Sequence, residues 1–265
     1  GMPAMTCDFT TSMVRFATAL ADESRAILSS VLGTLPDISI KSDQSFVTKT
    51  DRLVEMRLRE IIDREFPEHG VLGEELGSRD LDADYVWVLD PIDGTAAFVA
   101  GIPVFGTLIG LARNKRPWIG VIDHPMTAER WVGVADECAT HNGRAIRTRP
   151  CPKLDSALMT NSNPDFFHCS ERKTFEKLRS KVHYTQYGGS CYAYGVLASG
   201  RTDLAVDGGL DPFDIFACAA VIEGAGGIVT DWQGRGIQLS WKGQVIAAGD
   251  RSLHAQVISF LSAHS

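Results

Sequence analysis

Two carboxylates three positions apart are the residues of this chain whose types and spacing most clearly allow chemistry. They lie in the segment Asp90-Pro91-Ile92-Asp93-Gly94-Thr95. The apolar run from Tyr85 to Leu89, with its β-branched and aromatic residues, predicts a buried strand that ends at Asp90. Pro91 has no N–H for a ladder, so we predict that the chain turns there and brings Asp93 beside Asp90.

The oxygens of this turn suggest a metal and phosphate site. The carbonyl of Ile92 would face the same point as Asp90 and Asp93, and three hard oxygen ligands favour Mg²⁺. Gly94 and Thr95 would begin a short helical segment, whose free N–H groups suit a phosphate oxygen. Taken alone, these residues are equally compatible with a surface turn capped by Asp.

Acidic residues also stand at the ends of three other predicted elements. Asp51 precedes a helix that Thr50 or Asp51 itself would cap, and Asp214 lies in the first turn of an apolar helix. Glu74 and Glu75 follow a short apolar strand, where a cation would relieve their mutual repulsion. Capping, a helix-dipole interaction and simple solvation are the ordinary alternatives for these acids.

The elements that must position these acids fall into two parts, which meet near Pro150 to Pro152. The first part is predicted to hold an opening helix from Thr11 to Leu32, an antiparallel meander and a hairpin at Asn142-Gly143. The runs of the meander are Val104 to Ala112, Pro117 to Asp123 and Arg130 to Val134. His69 is predicted to be a surface turn residue. After the boundary, strand and helix patterns alternate.

This pattern predicts a first subdomain over 1–150 that carries most of the metal ligands, and a second over 151–265 that completes the site.

The composition is that of an ordinary globular protein, with 44% hydrophobic and 22% charged residues. No apolar run has the length that crosses a bilayer, so no membrane segment is expected. The net charge of -7 disfavours binding to nucleic acid. The short basic cluster Arg144, Arg147 and Arg149 lacks interleaved aromatic residues, which favours a solvated strand face over an RNA site.

The six cysteines are scattered without a Cys-x-x-Cys pair, which argues against a structural zinc site and a redox motif. Reduced thiols are therefore expected. The start of the chain, Gly1-Met2-Pro3, lacks the basic and then apolar layout of a signal peptide, so we expect a cytoplasmic protein.

The acidic segments together resemble the inositol monophosphatase superfamily of Mg²⁺-dependent, lithium-sensitive phosphatases. The matching segments are Val47-Thr48-Lys49-Thr50-Asp51, Gly73-Glu74-Glu75, Asp90 to Thr95 with Phe98 and Gly101, and Asp214 with Glu223 to Gly227. Other segments look most like the histidinol-phosphate phosphatase branch, among them Leu210 to Asp214 and Thr230 to Trp232. Members of that branch often carry Asp where Ser190 stands and Glu where Asp207 stands.

The resemblance implies an α+β fold, a layered αβαβα sandwich of two subdomains like that of inositol monophosphatase and fructose-1,6-bisphosphatase, usually assembled as a homodimer. It also implies a role for each site residue. The metal ligands for about two or three Mg²⁺ ions would be Glu74, Asp90, Asp93, Asp214 and the Ile92 carbonyl. Gly94 and Thr95 would bind phosphate.

For catalysis, the resemblance implies that Thr95, paired with Asp51, orients an attacking water, with Glu74 as a candidate proton acceptor. Ser190 and Asp207 would face the leaving alcohol.

The resemblance therefore implies a Mg²⁺-dependent phosphate monoester hydrolase, with histidinol phosphate, an intermediate of histidine biosynthesis, as the expected substrate. An inositol-1-phosphate or broad sugar-phosphate phosphatase is the alternative among enzymes. A non-catalytic partner in ribosomal RNA antitermination is the alternative of another class. The expected partners are a small phosphorylated alcohol and a second copy of the chain, and neither nucleic acid nor membrane.

Overall fold

The computed structural model describes residues 3–265, with side chains from Phe9 onward. The sequence-based expectations about Gly1, Met2 and the thiol of Cys7 lie outside this part of the chain. Within it, the five other cysteines are free thiols, as expected. None of its helices combines the length and the apolar character needed to cross a bilayer.

The described residues form seven α-helices and fifteen strands. The helices are α1 (Pro3–Val31), α2 (Lys49–Glu65), α3 (Thr95–Ala100), α4 (Cys169–Arg179), α5 (Ser190–Ala198), α6 (Pro212–Gly224) and α7 (Arg251–His264). The strands of the first part are β1 (Ile38–Ile40), β2 (Phe46–Thr48), β3 (Gly70–Gly73), β4 (Gly77–Arg79), β5 (Tyr85–Asp93), β6 (Gly106–Arg113), β7 (Arg116–His124), β8 (Glu129–Val134), β9 (Cys138–His141) and β10 (Arg144–Ala145). Those of the second part are β11 (Leu158–Asn161), β12 (Tyr184–Tyr187), β13 (Leu204–Leu210), β14 (Ile228–Thr230) and β15 (Gly243–Ala248).

Two large sheets organise these strands. The first has eight strands in the order β10-β9-β8-β7-β6-β5-β3-β4, and β1 and β2 form a separate hairpin. The predicted meander and the hairpin at Asn142-Gly143 are confirmed, because β6 to β10 pair antiparallel in sequence order. The second sheet has five strands in the order β12-β11-β13-β15-β14, with β11 parallel to β12 and β13.

Helices and sheets alternate in five layers, which confirms the predicted αβαβα sandwich. Helices α1 and α2 cover one face of the eight-stranded sheet, with Leu20 and Leu58 buried in that core. Helices α5 and α6 lie between the sheets, and α4 and α7 cover the outer face of the five-stranded sheet. The two sheets lie on either side of residue 150 in sequence. The division into subdomains 1–150 and 151–265 itself stays a prediction.

Helix α6 approaches the eight-stranded sheet closely because three glycines lie beneath it. A Cβ atom on Gly120 would lie 2.2 Å from the Ala217 carbonyl oxygen, and one on Gly133 would lie 2.5 Å from Val221 Cα. Gly110 lies under Phe216 in the same way, at 3.0 Å from its Cβ. At these three positions the sheet has no side chains, so it forms a groove against which α6 packs. We call Gly110, Gly120 and Gly133 the glycine groove.

Helix α2 begins earlier than its sequence suggests. Thr48 is the capping residue, because its hydroxyl accepts the Asp51 N–H at 3.3 Å and the Asp51 carboxylate accepts the Thr48 N–H at 2.8 Å. The prediction that Thr50 or Asp51 caps the helix is therefore wrong. The reciprocal bonds of a capping box place the cap three residues before its acidic partner.

His69 is buried and not a surface turn residue, so that prediction is also wrong. It is 5% exposed, accepts the indole N–H of Trp87 on Nδ1 at 3.1 Å and stacks on the ring of Phe66. The aromatic side chains around this turn cover the imidazole, which sequence periodicity does not reveal.

Candidate metal centre and active site

A bulge in β5 creates the centre of the site. Asp90 pairs with Leu108 on β6 and Asp93 pairs with Gly106, so two residues of β5, Pro91 and Ile92, lie opposite one residue of β6. The prediction that the strand ends at Asp90 is therefore wrong. The proline interrupts the ladder as expected, but the strand resumes after the bulge and ends at Asp93.

The bulge and the start of α6 bring three carboxylates together. Asp90, Asp93 and Asp214 each place a carboxylate oxygen within 4.8 Å of the others, and we call these three residues the carboxylate cluster. Asp214 is held in the first turn of α6, where its Oδ2 accepts the Asp211 N–H at 2.9 Å. The two halves of the chain thus contribute to one cluster.

Asp90 is the fully buried member of the cluster, whereas Asp93 and Asp214 are half-buried. Asp90 is 1% exposed, and among the described residues neither of its carboxylate oxygens has a hydrogen-bond partner. Burial, together with the charges of Glu74, Asp93 and Asp214, raises the pKa of Asp90 well above its usual range. Burial also raises the pKa of Asp93 and that of Asp214. A divalent cation bound by these carboxylates would offset the free-energy cost of burying their charge. Because the donors are all oxygen atoms, they fit Mg²⁺.

Glu74 adjoins the cluster from the end of β3. Its backbone N–H donates to the Leu89 carbonyl at 3.2 Å, which fixes it beside β5. Its Oε2 is buried without a partner among the described residues, and burial raises the pKa of Glu74 to about 7. The prediction that Glu74 is a metal ligand stays a prediction, but the structure places it next to Asp90.

Thr95 and Asp51 lie in direct contact across the start of α3. The Thr95 hydroxyl lies 3.2 Å from Asp51 Oδ1 and 3.0 Å from the Ile92 carbonyl oxygen, and it can donate its single hydrogen to either. Asp51 is 0% exposed, and burial raises its pKa although Thr48 and Thr95 donate to it. The Thr95 oxygen therefore keeps lone pairs with which to accept a hydrogen bond from water.

The start of α5 closes the site beside Gly94. Gly94 has a left-handed backbone, with φ 78°, and a Cβ there would lie 3.1 Å from Ser190 Oγ. The next residue, Cys191, donates its backbone N–H to Asp93 Oδ2 at 2.8 Å. Ser190 thus lies near Gly94, and its role toward substrate stays a prediction.

Asp207 is 3% exposed, and protein groups surround its carboxylate. Its Oδ1 accepts the Ser162 N–H at 2.7 Å and the Asn161 amide at 3.1 Å, and its Oδ2 accepts the Tyr194 hydroxyl at 2.5 Å. Burial raises the pKa of Asp207, and these donors oppose that rise. The carboxylate is held in one orientation. Its role toward substrate stays a prediction.

Two residues near the site were missed from the sequence. Glu55, whose side chain is 0% exposed, accepts the N–H groups of Glu75 and Leu76 at 2.8 and 2.7 Å and so holds the loop that carries Glu74. Its position one turn after Asp51 within an apolar stripe could have revealed it. Lys41 lies 2.8 Å from Glu75, and the polar loop that carries it gives no such signal.

Comparison with known proteins adds to this geometry. The model of the inositol monophosphatase family matches residues 10–265. The chain is 42% identical to the bifunctional phosphatase IMPL2, chloroplastic, of Arabidopsis thaliana, over 96% of this chain and 77% of that protein. It is 30% identical to a histidinol-phosphatase of Mycobacterium tuberculosis, over 93% of this chain and 96% of that protein.

A solved structure shares the whole architecture. An inositol monophosphatase from Zymomonas mobilis superposes with a TM-score of 0.87 and 43% identity, and the match covers 95% of this chain and 98% of that chain. The layered fold and the order of its elements are therefore common to both proteins.

Proposed function

The chain belongs to the inositol monophosphatase family and is a phosphatase, and on that premise we propose that it hydrolyses small phosphate monoesters with Mg²⁺ at the carboxylate cluster. One observation carries the proposal. The carboxylate of Asp90 is buried without a hydrogen-bond partner among the described residues, and the carboxylates of Asp93 and Asp214 lie within 4.8 Å. A buried carboxylate with two half-buried carboxylates this close to it is costly without a cation.

The ligands proposed for about two or three Mg²⁺ ions are the carboxylate cluster, Glu74 and the Ile92 carbonyl. Bound Mg²⁺ would supply charge to the phosphoryl oxygens and the leaving oxygen, and would lower the pKa of a water. Thr95, whose hydroxyl donates to Asp51 or to the Ile92 carbonyl, would accept a hydrogen bond from the attacking water and orient it. Glu74 would take up its proton.

The remaining proposed roles concern the substrate. The backbone of Gly94 and Thr95 would donate to the phosphate, because the N–H groups at the start of α3 have no helical acceptors. Ser190 and Asp207 would face the alcohol. We propose histidinol phosphate as the substrate, supported by the likeness to a histidinol-phosphatase. The likeness to an inositol monophosphatase supports inositol phosphate as the second candidate.

The test is a panel of phosphate monoesters. Values of kcat/KM for histidinol phosphate, the two common inositol monophosphates and several sugar phosphates should be measured with Mg²⁺ and after its removal by a chelator. We expect hydrolysis that depends on Mg²⁺ and is fastest with histidinol phosphate. A clear preference for an inositol phosphate would replace the proposed substrate, and hydrolysis unaffected by the chelator would contradict the proposed metal site.

Assembly and location belong to the same proposal. We propose a homodimer in the cytoplasm, which light scattering of the purified protein and fractionation of its source cells would check. The antitermination alternative is less favoured, because the acidic ligands are all present and the net charge is -7.

A further inference from the structure

The bulge in β5 determines which face of the sheet each carboxylate occupies. In a regular strand, residues three positions apart point to opposite faces. Asp90 and Asp93 nevertheless lie together in the carboxylate cluster. Leu89 and Ile92, also three apart, likewise share one face, since both belong to the core under α1 and α2. The extra residue between Asp90 and Asp93 therefore shifts the alternation of side chains between the two faces of the sheet. The proposed metal centre depends on this shift.

Thr107 is the single residue of β6 that lies opposite the bulge. Its side chain is fully buried, and its hydroxyl donates to the Pro91 carbonyl at 2.9 Å. Because that carbonyl can only accept, the hydroxyl of Ser24 on α1 must donate to Thr107 in turn. Pro91 and Ile92 have no paired residue on β6, so this chain of hydroxyls is a direct link between the bulge and α1.

Neighbouring polar groups do not replace this contact. The residue that pairs with Thr107 on β7 is Asp123, which is 1% exposed and accepts from Arg25 and Arg130. Its carboxylate has no hydrogen to donate to the Pro91 carbonyl. The Thr107 hydroxyl is thus the side-chain donor to the Pro91 carbonyl, and of the two carbonyls of the bulge Thr95 can donate only to the other, that of Ile92.

We propose that Thr107 is a positioning residue of the metal centre, which holds the bulge so that Asp90 and Asp93 face the same cation. The inference rests on the proposed function, because it assumes that the carboxylate cluster binds Mg²⁺. Groups that orient metal ligands without touching the metal typically change metal affinity by about 10- to 100-fold when removed.

The experiment compares Thr107→Val with Thr107→Ser. Valine keeps the shape of the side chain and removes the hydroxyl, whereas serine keeps the hydroxyl. Mg²⁺ is added without substrate, and its apparent Kd is taken from calorimetry and from the rise of Tm with Mg²⁺ concentration. We expect Thr107→Val to bind Mg²⁺ about tenfold or more weakly than the wild type, and Thr107→Ser to bind it within about threefold of the wild type.

The Tm measured without Mg²⁺ distinguishes a role of Thr107 in positioning the metal ligands from a role in the stability of the fold alone. A merely structural role would lower that Tm in Thr107→Val and leave the apparent Kd unchanged, which would overturn the proposal. If Thr107→Val does not fold, Thr107→Ala carries the test, because it removes the same hydroxyl and its bond to the Pro91 carbonyl. Weaker Mg²⁺ binding by Thr107→Ala would then support the proposal, and wild-type affinity would overturn it.

The two proposals fail in different ways. Absence of Mg²⁺ binding by the wild-type protein would refute the metal site and, with it, the role of Thr107. Equal affinities of the wild type and Thr107→Val would refute only the role of Thr107 and leave the proposed function in place.

Discussion

At the scale of single residues, the acids near the candidate site differ in how many hydrogen bonds their carboxylates accept from the protein. The carboxylate cluster contains Asp90, which has no donor among the described residues, and it is suited to a cation. Asp51 and Asp207 instead accept several hydrogen bonds from the protein. They are suited to holding a neighbour or a substrate group in place.

Asp93→Asn should abolish most of the activity. The change removes one negative charge and one ligand oxygen from the carboxylate cluster, so we expect kcat to fall by about 10³-fold or more, which is about 4 kcal/mol at the transition state. Asp82→Asn is the matched control, because the Asp82 side chain is 98% exposed. Steady-state rates with Mg²⁺ measure both, and near wild-type activity in Asp93→Asn would remove it from the metal site.

Thr95→Ala should lower the rate without loss of metal. Thr95 is proposed to orient water, and its hydroxyl lies 3.2 Å from Asp51 Oδ1. We expect kcat to fall by about 10²-fold while the Mg²⁺ affinity stays within about threefold, and Thr95→Ser should recover most of the rate. Calorimetry with Mg²⁺ separates the two effects. If metal binding disappears together with the rate, Thr95 has a different role.

Asp207→Asn should change substrate preference. Histidinol phosphate carries an amine, and a hydrogen bond between its ammonium and an ionised carboxylate contributes about 1.5 to 3 kcal/mol, more than a bond to a neutral amide. We expect kcat/KM for histidinol phosphate to fall by about tenfold or more, with a much smaller fall for inositol phosphate. The same variant should have a lower Tm, because an amide would meet the hydrogen-bond donors Ser162 and Tyr194. The ratio of kcat/KM for the two substrates corrects for that loss of stability. Equal falls in kcat/KM for both substrates would show that Asp207 does not determine substrate preference.

At the scale of elements, α1 is fixed to the eight-stranded sheet by polar contacts as well as by its apolar face. Arg25 donates to both oxygens of the buried Asp123, at 3.0 and 2.7 Å, and Ser24 bonds to Thr107 one strand away. Arg130 donates to the same carboxylate at 2.6 Å. Helix α1, which carries none of the proposed catalytic residues, is therefore attached to β6 and β7 directly behind the bulge in β5.

Arg25→Leu should destabilise the fold. Removing one guanidinium leaves Asp123 buried with a single cationic partner, so we expect the free energy of unfolding to fall by about 3 kcal/mol. Arg15→Leu, on the exposed face of the same helix, is the control and should change stability by less than about 0.5 kcal/mol. Urea unfolding measures both, and similar values for the two variants would show that the buried pair contributes little.

Sequence reasoning succeeded where a signal is local. The strands of the meander, the hairpin at Asn142-Gly143 and the apolar helix that begins near Asp214 follow from short patterns. It failed where a contact comes from elsewhere in the chain. The strand resumes after Pro91 because β6 continues beside it, and His69 is buried because Phe66 and Trp87 cover it. Lys41 reaches Glu75 across 34 residues, a distance that periodicity does not address.

At the scale of the whole molecule, burial of ionisable groups sets the response to acid. His124 is 0% exposed, with Nδ1 at 2.9 Å from the Phe105 carbonyl and Nε2 at 3.6 Å from Cys191 Sγ. The carbonyl can only accept, so the hydrogen lies on Nδ1 and Nε2 accepts the thiol hydrogen. Burial lowers the pKa of His124 to about 4, so the folded protein keeps a neutral imidazole.

The contribution of this imidazole to stability should be lost in mild acid, whereas the buried carboxylates with raised pKa values act in the opposite direction. The pKa of His124 is about 4 in the folded state against 6.5 for a free side chain, so its contribution is complete above pH 6.5 and is lost as the pH falls toward 4. Between pH 7 and 5 we expect the His124 contribution to the free energy of unfolding to fall by about 2 kcal/mol. His124→Gln should lack this loss, while the carboxylates titrate alike in both proteins. Parallel pH profiles of the unfolding free energy for wild type and variant would contradict it.

The glycine groove under α6 has a consequence for tolerance to mutation. The depth at which α6 lies sets the position of Asp214, and that depth is available only because Gly110, Gly120 and Gly133 have no side chains. A methyl group added at Gly120 would meet the Ala217 backbone and lift the helix, with its carboxylate, away from Asp90 and Asp93. A substitution at any of these three positions should thus disturb the site as a substitution of an active-site residue would, although none of them can take part in a reaction.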